Sequence, residues 1–290
     1  DTEITTVSAG SFTGDLSIKT GTAIDVTTTT GSGADTIVSS TGDDVISSGA
    51  GADTITLGTG TDSLTAGAGI DTIIESSAGL TSADTIAGGD GVDILQISDA
   101  STIEDADFTN ITSVETINNG LANAAQTITL GSLADATGIA TIEGNGSGID
   151  TVTVGSGFDN ALTVALGEGA DNIIGSASAA ALTVTAVADY IAATDEIRGG
   201  TGSNDTIKIT ADNDSSTGAV FGASVTGFET ITIVASTTKD AMLTTVDGNV
   251  TDTTGSLTVN ASALTSSLAA FTFISQEDST ATINVTGGAG

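Results

Sequence analysis

The sequence predicts an all-β fold, a solenoid of short stacked strands, and three observations carry that reading. A nine-residue unit recurs five times without interruption between Thr30 and Ile74. Elsewhere, short runs alternate apolar and polar side chains and are bounded by glycine, the period of a half-buried strand. The apolar fraction is 38% while aromatics make up only 3%, so the core must be built in thin layers from Ile, Val, Leu and Ala. Each observation is local, and stacking such units gives one continuous core.

The first segment, residues 1–29, reads as lead-in strands: Leu16-Ser17-Ile18 and Ile24-Asp25-Val26 alternate, with turns at Gly10, Gly14 and Gly21. The repeat segment, residues 30–100, follows the pattern x-G-x-G-x-D-x-U-x, where U is a large apolar residue. Units begin at Thr30, Ser39, Ser48, Leu57 and Ala66. Position four is always glycine (Gly33, Gly42, Gly51, Gly60, Gly69) and position six always aspartate (Asp35, Asp44, Asp53, Asp62, Asp71). Position eight is Ile37, Ile46, Ile55, Leu64 or Ile73. Glycine permits a turn with φ > 0 that aims carbonyls at a shared point, and the aspartate adds a hard carboxylate oxygen. Residues six to nine then run straight, with position eight pointing inward. After Ile74 the register slips, because Asp84 lies thirteen residues beyond Asp71, and Gly88 to Gln96 restores the full pattern around Asp93.

Residues 101–237 read as degenerate repeats of about 55 residues. Ile86-Ala87-Gly88, Ile142-Glu143-Gly144 and Ile197-Arg198-Gly199 each precede an Asp-led strand at Asp93, Asp150 or Asp205. A second strand signature follows each: Glu115-Thr116-Ile117, Asp171-Asn172-Ile173 and Glu229-Thr230-Ile231. The first and third copies agree best, each with an aromatic, Phe108 or Phe228, ahead of the Glu-Thr-Ile. The unit Val154 to Leu162 carries Asp159 but has Ala161 where a large apolar residue belongs. Residues 238–290 continue as strands, with a short helix expected at 239–245 or 262–270. The closing Gly287-Gly288-Ala289-Gly290 resembles the start of another unit, so the sequence reads as part of a longer polypeptide.

Over residues 30–96 this pattern resembles the RTX family of calcium-binding repeats, and residues 140–233 resemble it more loosely. The resemblance implies a right-handed parallel β-roll with two units per coil and Ca²⁺ between coils. Residues eighteen apart then stack, placing Asp35, Asp53 and Asp71 on one edge and Asp44 and Asp62 on the other. Carboxylates stacked about 4.8 Å apart repel by roughly 3 kcal/mol per pair at an effective dielectric near 20. Salt with a Debye length of about 8 Å cannot screen them, whereas a divalent cation reverses the sign. Oxygen-only ligands select Ca²⁺ over Zn²⁺. The expected metal ligands are Asp35, Asp44, Asp53, Asp62, Asp71, Asp84, Asp93, Asp150, Asp159, Asp171 and Asp205. Turn chemistry alone does not ask for aspartate at one phase throughout, so a metal-free solenoid is the weaker reading.

The chain has 37 acidic and 4 basic side chains, a formal charge of −33, and neither His nor Cys. The cations, Lys19, Arg198, Lys208 and Lys239, are scattered, which argues against nucleic acid and anionic membranes as partners. No apolar run reaches the roughly 20 residues of a membrane helix. Triads, thiol nucleophiles and His-rich zinc sites are unavailable, and with one Tyr and no Trp there is little surface for a sugar to stack on. No enzymatic activity is expected. The Thr-, Ala-, Gly- and Asp-rich remainder is most similar to RTX-type bacterial surface-layer proteins and to repeat regions of RTX adhesins. That resemblance implies type I secretion, an extracellular place on the bacterial surface, and calcium-dependent self-assembly into a lattice or filament. Cell-surface polysaccharide is a further implied partner, through regions outside this segment.

Overall fold

The computed structural model describes residues 4–21, 24–100, 102–120, 125–144, 146, 148, 150–175, 177–187, 190–210, 219–234, 241–246, 256–263, 271–276 and 282–287. It is an all-β structure of parallel strands stacked as a solenoid, in two compact units. One unit comprises residues 1–121 with 132–142, the other residues 122–131 with 143–290. Among the described residues no helix is long and apolar enough to cross a membrane.

In the first unit the chain alternates between two faces. One carries, in order, Thr6–Ser8, Thr27–Thr29, Val45–Ala50, Ser63–Ala68, Thr85–Asp90 and Ile111–Thr112. The other carries Ser17–Lys19, Thr36–Val38, Thr54–Thr56, Thr72–Glu75, Ile94–Ile97 and Thr116–Asn119. Strands only three to six residues long are what a nine-residue unit leaves once its turn is made. The register is eighteen residues, pairing Ile37 with Ile55 and Ile55 with Ile73 on one face, and Ile46 with Leu64 on the other. These position-eight side chains are buried as columns, each covering the one below.

The slip after Ile74 is a real lengthening of one coil. Leu64 pairs with Ile86 and Ile73 with Leu95, twenty-two residues apart, and the added residues fold as a turn in which Gly79 and Leu80 donate to the Ser76 carbonyl. Glu75 ends the strand before that turn and pairs with Ile97, so its side chain stands against an apolar neighbour and is 3% exposed. A 3-10 turn, Asp105–Phe108, and a helix, Ser132–Thr137, complete this unit. Asp105 joins them by accepting the N–H groups of Leu133 and Ala134 at 3.3 and 2.9 Å.

The second unit repeats the arrangement with longer coils. Thr127–Leu130, Thr151–Val154, Asn172–Ile174, Glu196–Arg198 and Val225–Thr226 form one face. Leu162–Ala165, Leu182–Val187, Thr206–Thr210, Thr230–Val234, Ser256–Asn260 and Thr282–Thr286 form another, and Ala219–Val220, Ala241–Val246 and Phe271–Gln276 a third. The expected helix at 239–245 is therefore a strand from Ala241, fixed by pairing with Phe271–Gln276. The alternative at 262–270 falls largely outside the described residues.

Candidate metal centre

Every buried aspartate of the repeat turns has one oxygen already engaged. Asp35 Oδ1 accepts the Leu16 N–H at 2.8 Å, Asp53 Oδ1 that of Asp35 at 2.7 Å, Asp71 Oδ1 that of Asp53 at 2.8 Å and Asp93 Oδ1 that of Asp71 at 2.9 Å. Glu115 closes the row through the Asp93 N–H at 2.8 Å. On the opposite edge Asp44, Asp62 and Asp84 accept from Val26, Asp44 and Asp62 at 2.7, 2.8 and 2.8 Å. Each carboxylate thus caps a backbone N–H one coil back, a group that would otherwise be an orphaned donor between coils. This gives aspartate at one fixed phase a reason that needs no metal, one that the turn chemistry read from the sequence did not supply.

The same ladder runs through the second unit. Asp150, Asp171 and Asp195 accept from Gln126, Asp150 and Asp171 at 3.0, 3.0 and 3.2 Å, and Asp205 and Glu229 from Leu182 and Asp205, both at 2.8 Å. Asp159 stands apart: it is exposed, and Ala161 holds the place just before the strand at Leu162. The sequence reading missed Glu115, Asp195 and Glu229 as rungs. Their signal was the acidic residue directly ahead of an Ile-bearing strand, Asp195-Glu196-Ile197 included.

The second oxygens of nine of these aspartates fall into two groups. Those of Asp35, Asp53, Asp71, Asp93 and Asp171 are buried with no hydrogen-bond partner. Those of Asp44, Asp84, Asp195 and Asp205 accept local donors: Ser40 N–H at 3.1 Å, Thr81 N–H at 2.7 Å, Ala192 N–H at 2.9 Å and Gly200 N–H at 2.6 Å. Ser48, whose hydroxyl also eases the charge on Asp53, donates to the Ala66 carbonyl at 2.8 Å. Burial is the main cause that raises the pKa of Asp53, Asp62, Asp71, Asp93 and Asp171, Asp71 to about 6 and Asp171 to about 7. The backbone hydrogen bond opposes it, and repulsion from neighbouring acids adds a smaller rise. Desolvation, more than like-charge repulsion, is what a bound cation would relieve.

The surroundings suit a hard cation. A Cβ on Gly67 would collide with the carbonyl oxygen of Gly49, and one on Gly88 with that of Ser113 while standing 2.5 Å from Asp93 Oδ2. Ser113 itself holds φ at 52°, the one non-glycine with positive φ among the described residues, and its carbonyl oxygen and Asp93 Oδ2 both crowd the place a Cβ on Gly88 would take. Among the described residues no three carboxylates converge, so the remaining ligands would be backbone carbonyl oxygens.

Buried carboxylate oxygens set in rows against glycine turns are the donor set that a cation-binding repeat solenoid would need. Residues 29–64, 58–74 and 76–96 match the RTX calcium-binding nonapeptide repeat in four copies, a repeat family that binds Ca²⁺. No curated protein and no solved structure matches the chain. Held by these carboxylates and neighbouring carbonyls, Ca²⁺ would supply the positive charge that lets the carboxylates stay ionised in the interior.

Proposed function

We propose that the chain is a structural segment of a bacterial surface layer or cell-surface filament, extracellular and stiffened by calcium, with no catalytic role. The observation that carries the calcium part is the row of buried, unpartnered oxygens at Asp35, Asp53, Asp71 and Asp93. Asp171 represents the same chemistry in the second unit. The assembly part rests on charge: two copies of a −33 chain repel until cations lower the charge or bridge the surfaces. Assembly is therefore expected to rise steeply with millimolar Ca²⁺ and to be poorly supported by Mg²⁺, which demands a tight octahedral shell. Light scattering of the purified chain in Ca²⁺, Mg²⁺ and chelator tests this. Equal assembly in all three would overturn it, and a monomeric rod in calcium would favour the stalk of a type I-secreted adhesin.

A further inference from the structure

We propose that the residue four positions ahead of each turn aspartate decides whether that aspartate takes a cation or is satisfied by the protein itself. This rests on the calcium reading above. At all five unpartnered aspartates the residue is glycine: Gly31, Gly49, Gly67, Gly89 and Gly167 precede Asp35, Asp53, Asp71, Asp93 and Asp171. At the four satisfied ones it is Ser40, Leu80, Ile191 or Thr201, preceding Asp44, Asp84, Asp195 and Asp205.

The geometry explains the division. Gly31, Gly49, Gly67 and Gly89 lie so close to the coil before that a Cβ would meet the carbonyl oxygen of Phe12, Gly31, Gly49 or Gly67, and at these turns no N–H reaches the second carboxylate oxygen. A residue with a side chain cannot approach so closely, and at the four satisfied turns an N–H from three to five residues ahead reaches Oδ2. At Ser40 the substitution is chemically complete. Its hydroxyl lies 2.8 Å from the Ile24 carbonyl oxygen and 3.2 Å from Asp44 Oδ2, spanning a carbonyl and a carboxylate as a cation would, and the Ser39 hydroxyl also reaches Oδ2. At the cation-competent turns the position-one hydroxyls donate to the next coil, Thr30 to the Ser48 carbonyl at 2.7 Å and Ser48 to that of Ala66 at 2.8 Å, with the Ser48 hydroxyl also beside Asp53. One edge of the matched repeat thus carries four cation positions in succession, while the other has two, Asp44 and Asp84, closed by hydrogen bonds.

Calcium stoichiometry by equilibrium dialysis and native mass spectrometry, on the full chain with circular dichroism as a folding control, tests this. Asp53→Asn is expected to lose at least one ion. Asp44→Asn, which keeps the oxygen that caps Val26, is expected to lose none. The double variant Ser39→Ala/Ser40→Gly, which opens a turn without removing any carboxylate, is expected to gain one. Equal losses for the two Asp→Asn variants, or no gain in the double variant, would overturn the selection rule while leaving calcium binding intact. A wild-type chain that binds no calcium would overturn the reading beneath it.

Discussion

A turn aspartate has two separate tasks, one per oxygen, and its substitutions separate them. Oδ1 of Asp53 holds the Asp35 N–H, while Oδ2 is the oxygen left for the metal. Asparagine retains the first acceptor and lacks the charge; alanine lacks both. In saturating calcium, Asp53→Ala is therefore expected to be less stable than Asp53→Asn by about 1–3 kcal/mol, the cost of stranding a buried donor. Urea denaturation of the pair measures this, and equal midpoints would show that the capping bond carries no stability. Asp159 illustrates the limit of reading such residues by spacing alone. It has the right neighbours in sequence, yet Ala161 takes the ladder position, and a carboxylate two residues early turns outward.

The turn glycines matter at the scale of the coil, since they let consecutive backbones come within contact. Gly67 has φ at 114° and faces the Gly49 carbonyl of the coil before, so Gly67→Ala is strained in its own backbone and collides with its neighbour. It is expected to cost about 1–3 kcal/mol or more, against less than about 0.5 for Ala68→Ser at the next, exposed residue. Matched thermal melts in calcium would show it; a neutral Gly67→Ala would mean that the coils are not in contact there. What was legible in the sequence follows from this tightness. A coil that must return to the same register after eighteen residues imprints a rigid period, so the columns through Ile37, Ile46 and the slip before Asp84 are visible as spacing. Where coils lengthen, spacing stops reporting position. Phe228 stands at the place of Val114, each directly ahead of the Glu of its ladder, and the 3-10 turn ending at Phe108 was not foreseen as an element. The helix Ser132–Thr137 is six residues long and capped by Asp105 from 28 residues away, a partner no local pattern announces. The glycine four ahead of Asp171 was legible but unread, because Gly167 and Gly169 lie in a region judged by its 55-residue period.

At the scale of the whole molecule, protons and calcium compete for the same buried carboxylates. Burial raises Asp62 and Asp71 from 3.8 to about 6, Asp171 from 3.8 to about 7, and Glu75, buried against Ile97, from 4.5 to about 8. Between roughly pH 4 and 8 the folded chain consequently binds more protons than the unfolded chain. Stability of the calcium-free fold is then fullest at the acid end and is lost as pH rises through 6 to 8, where these groups must ionise in the interior. Calcium supplies from outside the charge that the proton supplied, so its contribution should grow over the window in which the calcium-free fold weakens. The expected result is a melting temperature in EGTA that falls from pH 5 to pH 8, with the increment due to calcium widening in step. Because the groups are buried, 1 M sodium chloride should not substitute, which distinguishes this from relief of the −33 surface charge. Glu75→Gln, which places a neutral side chain between Leu57 and Ile97, should raise the EGTA curve most near its alkaline end and leave calcium stoichiometry unchanged. A calcium-free melting temperature that is flat or rises from pH 5 to 8 would show that the buried carboxylates are not what calcium neutralises.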